Sequence, residues 1–158
     1  MTHPLPLLRR REIEAGVIAP LVAAFAAEVG ADRAREIAAG VVKELARQGG
    51  CAAAAALGGN GLPELKRAVE KWADDAALEL DVIRDDAGAF EFNVVRCRYA
   101  EMYRRLGLAD LGPVLSCNRD AAMIEGFNPA IAFTRTQTLM EGATHCDFRY
   151  RVGERKPD

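Results

Sequence analysis

Leu78-Glu79-Leu80-Asp81-Val82-Ile83-Arg84-Asp85-Asp86-Ala87-Gly88-Ala89-Phe90-Glu91-Phe92-Asn93-Val94-Val95 is the stretch in which the chain changes its period. Leu78, Leu80 and Val82 alternate with Glu79, Asp81 and Arg84, the two-residue repeat of a half-buried strand. Asp85-Asp86-Ala87-Gly88 is a run of turn formers, and Phe90, Phe92, Val94 and Val95 read as the returning strand of a hairpin.

Upstream of Asp75 the period is that of a helix. From Arg10 to about Val29 the apolar residues Ile13, Val17, Leu21, Val22 and Phe25 recur, and Gly30 follows as a stop. Pro20 lies inside this pattern, so a kink or a break is expected there. A second helix opens near Asp32, an acid suited to the positive end of the helix dipole, and runs through Ile37, Val41, Val42 and Leu45 to Gly49-Gly50. The alanine-rich stretch from Cys51 to Leu57 is compatible with helix, and Gly58-Gly59-Asn60-Gly61 breaks the chain. Leu62-Pro63 opens another helix with Leu65, Val69 and Trp72 on one face.

Downstream of the hairpin, Tyr99 to Leu106 reads as a short helix stopped by Gly107. Ala109 to about Glu125 reads as a further helix, interrupted or started at Gly112-Pro113 and ended by Gly126-Phe127-Asn128-Pro129. Ala130 to Met140 alternates as a strand, Glu141-Gly142-Ala143-Thr144 turns the chain, and His145 to Val152 is the last strand. The expected class is α+β in a single domain over 1–158. A helical half (10–75) packs on a roughly four-stranded antiparallel sheet with inserted helices (76–152), and 153–158 is a polar tail.

Composition bounds the function. A chain of 158 residues suits one domain, and 50% hydrophobic with 28% charged residues allows a real core. Lys plus Arg (21) against Asp plus Glu (23) leave a net charge of -2, which supplies no basic surface for nucleic acid. Leu8-Arg9-Arg10-Arg11 before the apolar run from Ala15 to Ala27 imitates an export signal, but Glu12 and Glu14 interrupt it. The run is also shorter than the ~20 residues that span a bilayer. A soluble, uncleaved, cytoplasmic chain without nucleic-acid or membrane partners is expected. The four cysteines, Cys51, Cys97, Cys117 and Cys146, are too widely spaced for a short zinc motif and read as reduced thiols. No Walker loop, HExxH, G-x-S-x-G or G-x-G-x-x-G occurs.

Chemistry-bearing residues cluster between Cys97 and Asp147. Cys117 and Asp120, three apart, share a helix face. As a strand, Thr134 to Thr138 puts Arg135 and Gln137 on one face and the three threonines on the other. His145, Asp147 and Arg149 share one face of the last strand, with Cys146 and Phe148 on the opposite one. Each has an ordinary alternative: a cysteine as a small buried hydrophobe, Arg135 as a sheet-surface arginine paired with an acid of a neighbouring strand, Asp120 as a surface acid, His145 as a turn residue. Cys51, among alanines, is read as structural, and His3 as part of a frayed terminus.

Cys97-Arg98-Tyr99-Ala100-Glu101-Met102-Tyr103, Leu106-Gly107-Leu108, Ser116-Cys117-Asn118-Arg119-Asp120, Gly126-Phe127-Asn128-Pro129 and, most specifically, Arg135-Thr136-Gln137-Thr138-Leu139-Met140-Glu141-Gly142-Ala143-Thr144-His145-Cys146-Asp147-Phe148-Arg149-Tyr150 together resemble the L-2-amino-thiazoline-4-carboxylic acid hydrolase family. The resemblance implies hydrolytic opening of a cyclic isothiourea to an N-carbamoyl amino acid. Such a site needs a cation for the substrate's carboxylate, an acceptor for its amidine N–H groups, and a base or nucleophile. Arg135, Asp120 and one of Cys97, Cys117 or Cys146 fit those roles in type, with Thr138 and Asn128 joining Arg135 as candidate substrate-binding residues. No cofactor and no metal are expected. A metal-dependent version would use His145, Asp147 and a thiol, but the strand alternates these between faces. The Gly142-to-Phe148 pattern is also similar to small-molecule-binding vinyl-reductase-type domains, so a non-catalytic sensor-type module stands as the alternative. The alanine-rich helices offer a surface for a homodimer.

Overall fold

The computed structural model describes residues 5–153, so His3 and the end of the polar tail lie outside the described residues. Two long helices, α1 (Leu7–Val29) and α2 (Ala31–Leu57), meet at Gly30, whose φ of +87° turns the chain between them. Pro20 does not break α1. Its missing N–H frees the Gly16 carbonyl, and both residues are exposed, so water can take the place of the lost bond. Gly49-Gly50 likewise does not end α2.

The reason is close packing against α5 (Asn118–Phe127). A Cβ at Gly50 would stand 2.1 Å from the Met123 carbonyl oxygen, and one at Gly126 would stand 1.9 Å from the Arg47 carbonyl oxygen. Each glycine therefore admits the other helix's backbone where no side chain fits. The third helix, α3 (Leu62–Trp72), opens with Pro63 in its first turn, and the Glu64 carboxylate accepts the Gly61 N–H at 3.1 Å. Its Leu65 and Val69 are fully buried against the sheet.

The sheet has four antiparallel strands, β1 (Leu78–Asp85), β2 (Ala89–Cys97), β3 (Ile131–Thr134) and β4 (Cys146–Val152), in the order β1-β2-β4-β3. The β1–β2 turn is closed by the Asp86 carboxylate, which accepts the N–H groups of Gly88 and Ala89. Register sets Val94, Phe92 and Phe90 opposite Cys146, Phe148 and Tyr150. These side chains make the buried face, with Phe92 stacked on Phe148 at 5.0 Å and Phe133 on Tyr150 at 4.8 Å. α3 and α5 cover that face. The short helix α4 (Arg98–Arg105) follows β2 directly, with the Cys97 sulfur accepting the Ala100 N–H at 3.4 Å as its cap.

The expected helix from Ala109 begins at Pro113 with a π-helical turn over Pro113–Cys117, where the Asn118 N–H reaches back to the Pro113 carbonyl, and α5 continues it. The expected strand from Ala130 to Met140 is a strand only over Ile131–Thr134. Beyond Thr134 the backbone N–H groups of Thr136 and Gln137 are taken by the Asp147 carboxylate, each at 2.9 Å, instead of by a neighbouring strand. A 3-10 turn at Leu139–Glu141 follows, and His145 sits just before β4.

Ile13, Val17, Leu21, Phe25 and Val29 of α1 and Ile37, Val41 and Leu45 of α2 remain exposed, although their period marks them as an apolar face. Among the described residues no helix is long and apolar enough to cross a membrane.

Candidate functional site

A cavity of about 260 Å³ lies between the helices and the buried face of the sheet. Cys97 from the end of β2, Cys117 from the π-helical turn, Asp120 from α5 and Cys146 from β4 all line it. Four separate elements thus deliver the four candidate catalytic residues to one void. The π-helical turn matters locally, because its wider spacing sets Cys117 and Ser116 against the cavity just before the regular turns of α5 present Asp120.

Asp120 is the best-defined polar group in the site. The Arg135 guanidinium donates from Nη1 to its Oδ2 and from Nη2 to the Cys117 carbonyl at 3.3 Å, and it lies 5.4 Å over the Phe148 ring. Both side chains are mostly buried, at 16% exposure for Arg135 and 22% for Asp120. Burial pushes the Asp120 carboxyl up to about 6, and the Arg135 charge limits that rise. On Arg135 burial works against the charge, but Asp120 outweighs it and leaves its pKa raised. Asp120 Oδ1 accepts no hydrogen bond from the described residues and is available to a ligand. The buried Tyr150 hydroxyl, which takes no partner among the described residues, lies in the field of both charges.

The thiols are not activated. Burial raises Cys97 to about 11, despite the Ala100 N–H donated to its sulfur. Burial, then the Asp120 charge, pushes Cys117 up further. Burial also raises Cys146, against the Leu139 N–H that its sulfur accepts at 3.2 Å. All three are neutral thiols near pH 7.

The other candidate residues stand elsewhere. Arg135 does not line the cavity; it holds Asp120, an acid from α5 and not from a neighbouring strand. Thr138 is buried, donates to Glu141 Oε2 at 2.7 Å and caps the Leu139–Glu141 turn. Asn128 ties two loops together, donating to the Asn60 carbonyl at 2.9 Å and accepting the Ala130 N–H at 2.9 Å. Asp147 also accepts the Thr136 hydroxyl at 2.7 Å, and the His145 ring contacts Gln137 and Thr144. No group of three His, Cys, Asp or Glu side chains suited to a metal occurs among the described residues. Cys51 is exposed on α2, with its sulfur 3.1 Å from the Gly126 carbonyl oxygen.

Arg11, Arg119 and Trp72 line the cavity and were missed as site residues. For Arg119 the sequence does carry a signal, its place beside Asp120 in the Ser116-to-Asp120 segment. Arg11 carries no such signal, since its sequence neighbourhood is a basic N-terminal cluster.

The fold and cavity define an α+β protein whose helices and sheet enclose a cavity lined by one carboxylate, Asp120, and three thiols. The sequence model of the L-2-amino-thiazoline-4-carboxylic acid hydrolase family matches residues 10–150, and the chain belongs to that family. No curated protein matches the chain.

Proposed function

We propose that the protein is a hydrolase that opens a small, carboxylate-bearing cyclic amidine, such as L-2-amino-thiazoline-4-carboxylate, to an N-carbamoyl amino acid. Membership of a family described as L-2-amino-thiazoline-4-carboxylic acid hydrolase supports hydrolysis as the reaction class. The observation that carries the reading is Asp120, held through Oδ2 by Arg135, with no hydrogen bond to Oδ1 among the described residues, in the lining of a cavity that Cys97, Cys117 and Cys146 share. With its carboxyl near 6, Asp120 is roughly nine-tenths ionised at pH 7, basic enough to accept a proton and ready to return it.

Water is the nucleophile in this scheme, since the three thiols are protonated. Asp120 takes a proton from the water as its oxygen bonds to the ring carbon of the protonated amidine, whose C=N π electrons move onto the protonated nitrogen. The tetrahedral intermediate collapses with cleavage of the carbon–sulfur bond; the departing sulfur receives the proton from Asp120, and the hydroxyl proton passes to solvent as the carbamoyl carbonyl forms. The product carries a carbamoyl nitrogen and a free thiol. Cys97, Cys117 and Cys146 act as a dry wall around the reacting carbon, and Arg135 keeps Asp120 in place. Thr138 and Asn128 shape the site by holding the Leu139–Glu141 turn and the end of α5.

Turnover of a small panel of cyclic amidines and amides, with and without a carboxylate, tests the reading. Asp120→Asn is expected to abolish turnover while the protein still folds, and alanine at any one of the three cysteines is expected to leave most of it. Turnover that survives Asp120→Asn overturns the assignment. Tight binding without turnover of any substrate would make the protein a sensor-type module.

A further inference from the structure

We propose that Arg11 and Arg119 form an anion seat on the cavity wall that takes a single carboxylate. Both residues line the cavity, one from α1 and one from α5, and their side chains are only 18% and 15% exposed. They share one counter-ion. Glu14 Oε2 accepts Arg11 Nη1 at 2.5 Å and Arg119 Nη2 at 3.4 Å. Arg119 Nε donates to the Leu115 carbonyl at 2.9 Å. Arg119 Nη1 and the Nε and Nη2 groups of Arg11 meet no acceptor among the described residues.

Charge makes the case independent of any substrate name. Asp120 and Arg135 neutralise each other, while two guanidinium groups face one carboxylate. The cavity wall is left with one positive charge in excess, in a place that water reaches poorly. Burial, and then the like charge of Arg11, lowers the pKa of Arg119, a strain that a bound anion would relieve. Guanidinium forks with free N–H groups suit a carboxylate. Arg119 and Asp120 are consecutive on α5, so the cavity offers a cationic seat and an anionic acceptor side by side. The ligand class this selects is a small zwitterion with a carboxylate and a protonated amidine a few bonds apart. The amidine identity rests on the hydrolase reading above, whereas the anion seat does not. Arg135, the expected carboxylate anchor, becomes a positioning residue for Asp120.

Trp72 lines the cavity and is the only tryptophan in the chain, so its fluorescence reports binding without turnover. The full-length protein is titrated with L-2-amino-thiazoline-4-carboxylate and with 2-amino-thiazoline, which lacks the carboxylate. Arg119→Met and Arg11→Met are each expected to weaken the carboxylated probe about 10- to 100-fold, and Arg119→Lys less, while the carboxylate-free probe, a cation through its protonated amidine, is not weakened. Thermal unfolding of each variant checks the fold, and Arg11→Met carries the test if Arg119→Met does not fold. Equal weakening of both probes, unaltered binding in both variants, or no binding of the carboxylated probe to the wild type overturns the seat. Binding that depends on the arginines but gives no turnover upholds the seat and overturns the hydrolase reading. Turnover indifferent to both arginines does the reverse.

Discussion

Arg135→Met removes a guanidinium from Asp120 but keeps an unbranched stem against Phe148, so it isolates the electrostatic part of that contact. Burial already raises the Asp120 carboxyl from 3.8 to about 6, with Arg135 holding it down. An opposite charge at contact distance is worth up to about 4 kcal/mol at an effective dielectric of ~20, and such partners move carboxyl groups by roughly 1–3 units. Without Arg135 the group is therefore expected to titrate near ~8. A carboxyl whose folded pKa is raised binds its proton more tightly in the folded state. Stability is then greatest in acid and falls as pH rises from the unfolded value through the folded one. In the wild type that fall amounts to about 3 kcal/mol and is nearly complete by pH ~7. In the variant it continues toward pH ~8, adding roughly 1.4 kcal/mol of loss at pH ~7 and almost none at pH ~5. For a chain of this size that widens the gap in Tm between wild type and variant by about 3–5 °C. Side-chain carbon NMR of the aspartates and thermal unfolding at both pH values measure the two effects. An Asp120 that still titrates at or below 6, or a Tm gap equal at both pH values, refutes the claim that Arg135 governs this carboxylate.

Gly126→Ala drives a methyl into the Arg47 carbonyl and is expected to cost several kcal/mol or prevent folding, whereas Gly40→Ala, with open space around it, should stabilise α2 by about 0.5–1 kcal/mol; urea unfolding separates them. Limited alkylation near neutral pH is expected to mark exposed Cys51 and to spare Cys97, Cys117 and Cys146, whose thiols burial keeps protonated, and peptide mapping that finds Cys117 modified first contradicts this. A second copy of the chain covering the exposed Val17, Leu21 and Phe25 is expected to give a dimer that Leu21→Glu dissociates, and a wild type that sediments as a monomer discards that interface.

The hairpin at Leu78–Val95 and the α+β order were legible because they depend on local periodicity and turn chemistry. The errors arose where one residue's local preference met a distant partner. Gly49-Gly50 reads as a stop from its own conformational freedom, but α2 runs on because Gly50 admits the backbone of α5. Thr134 to Thr138 alternates as a strand should, yet the carboxylate of Asp147 takes the backbone donors that a neighbouring strand would have used. Both contacts bridge segments that no spacing rule relates.

The same division runs through the site. Residue types and spacing bring Cys117 and Asp120 to one helix face, and that much is local. Whether a thiol there attacks or merely packs is decided by burial, which the sequence does not state. All three cavity thiols are shifted away from the thiolate, while the carboxylate among them is tuned toward neutral pH. In the proposed hydrolysis that contrast moves the chemistry from sulfur to Asp120. Under that proposal Arg135 serves better beside Asp120 than free in the cavity, because its charge limits the rise that burial imposes on the carboxyl and keeps more of it ionised to act as a base. A carboxylated substrate in the proposed reaction then calls for a different cation, and the two arginines that share Glu14 are the ones that line the cavity.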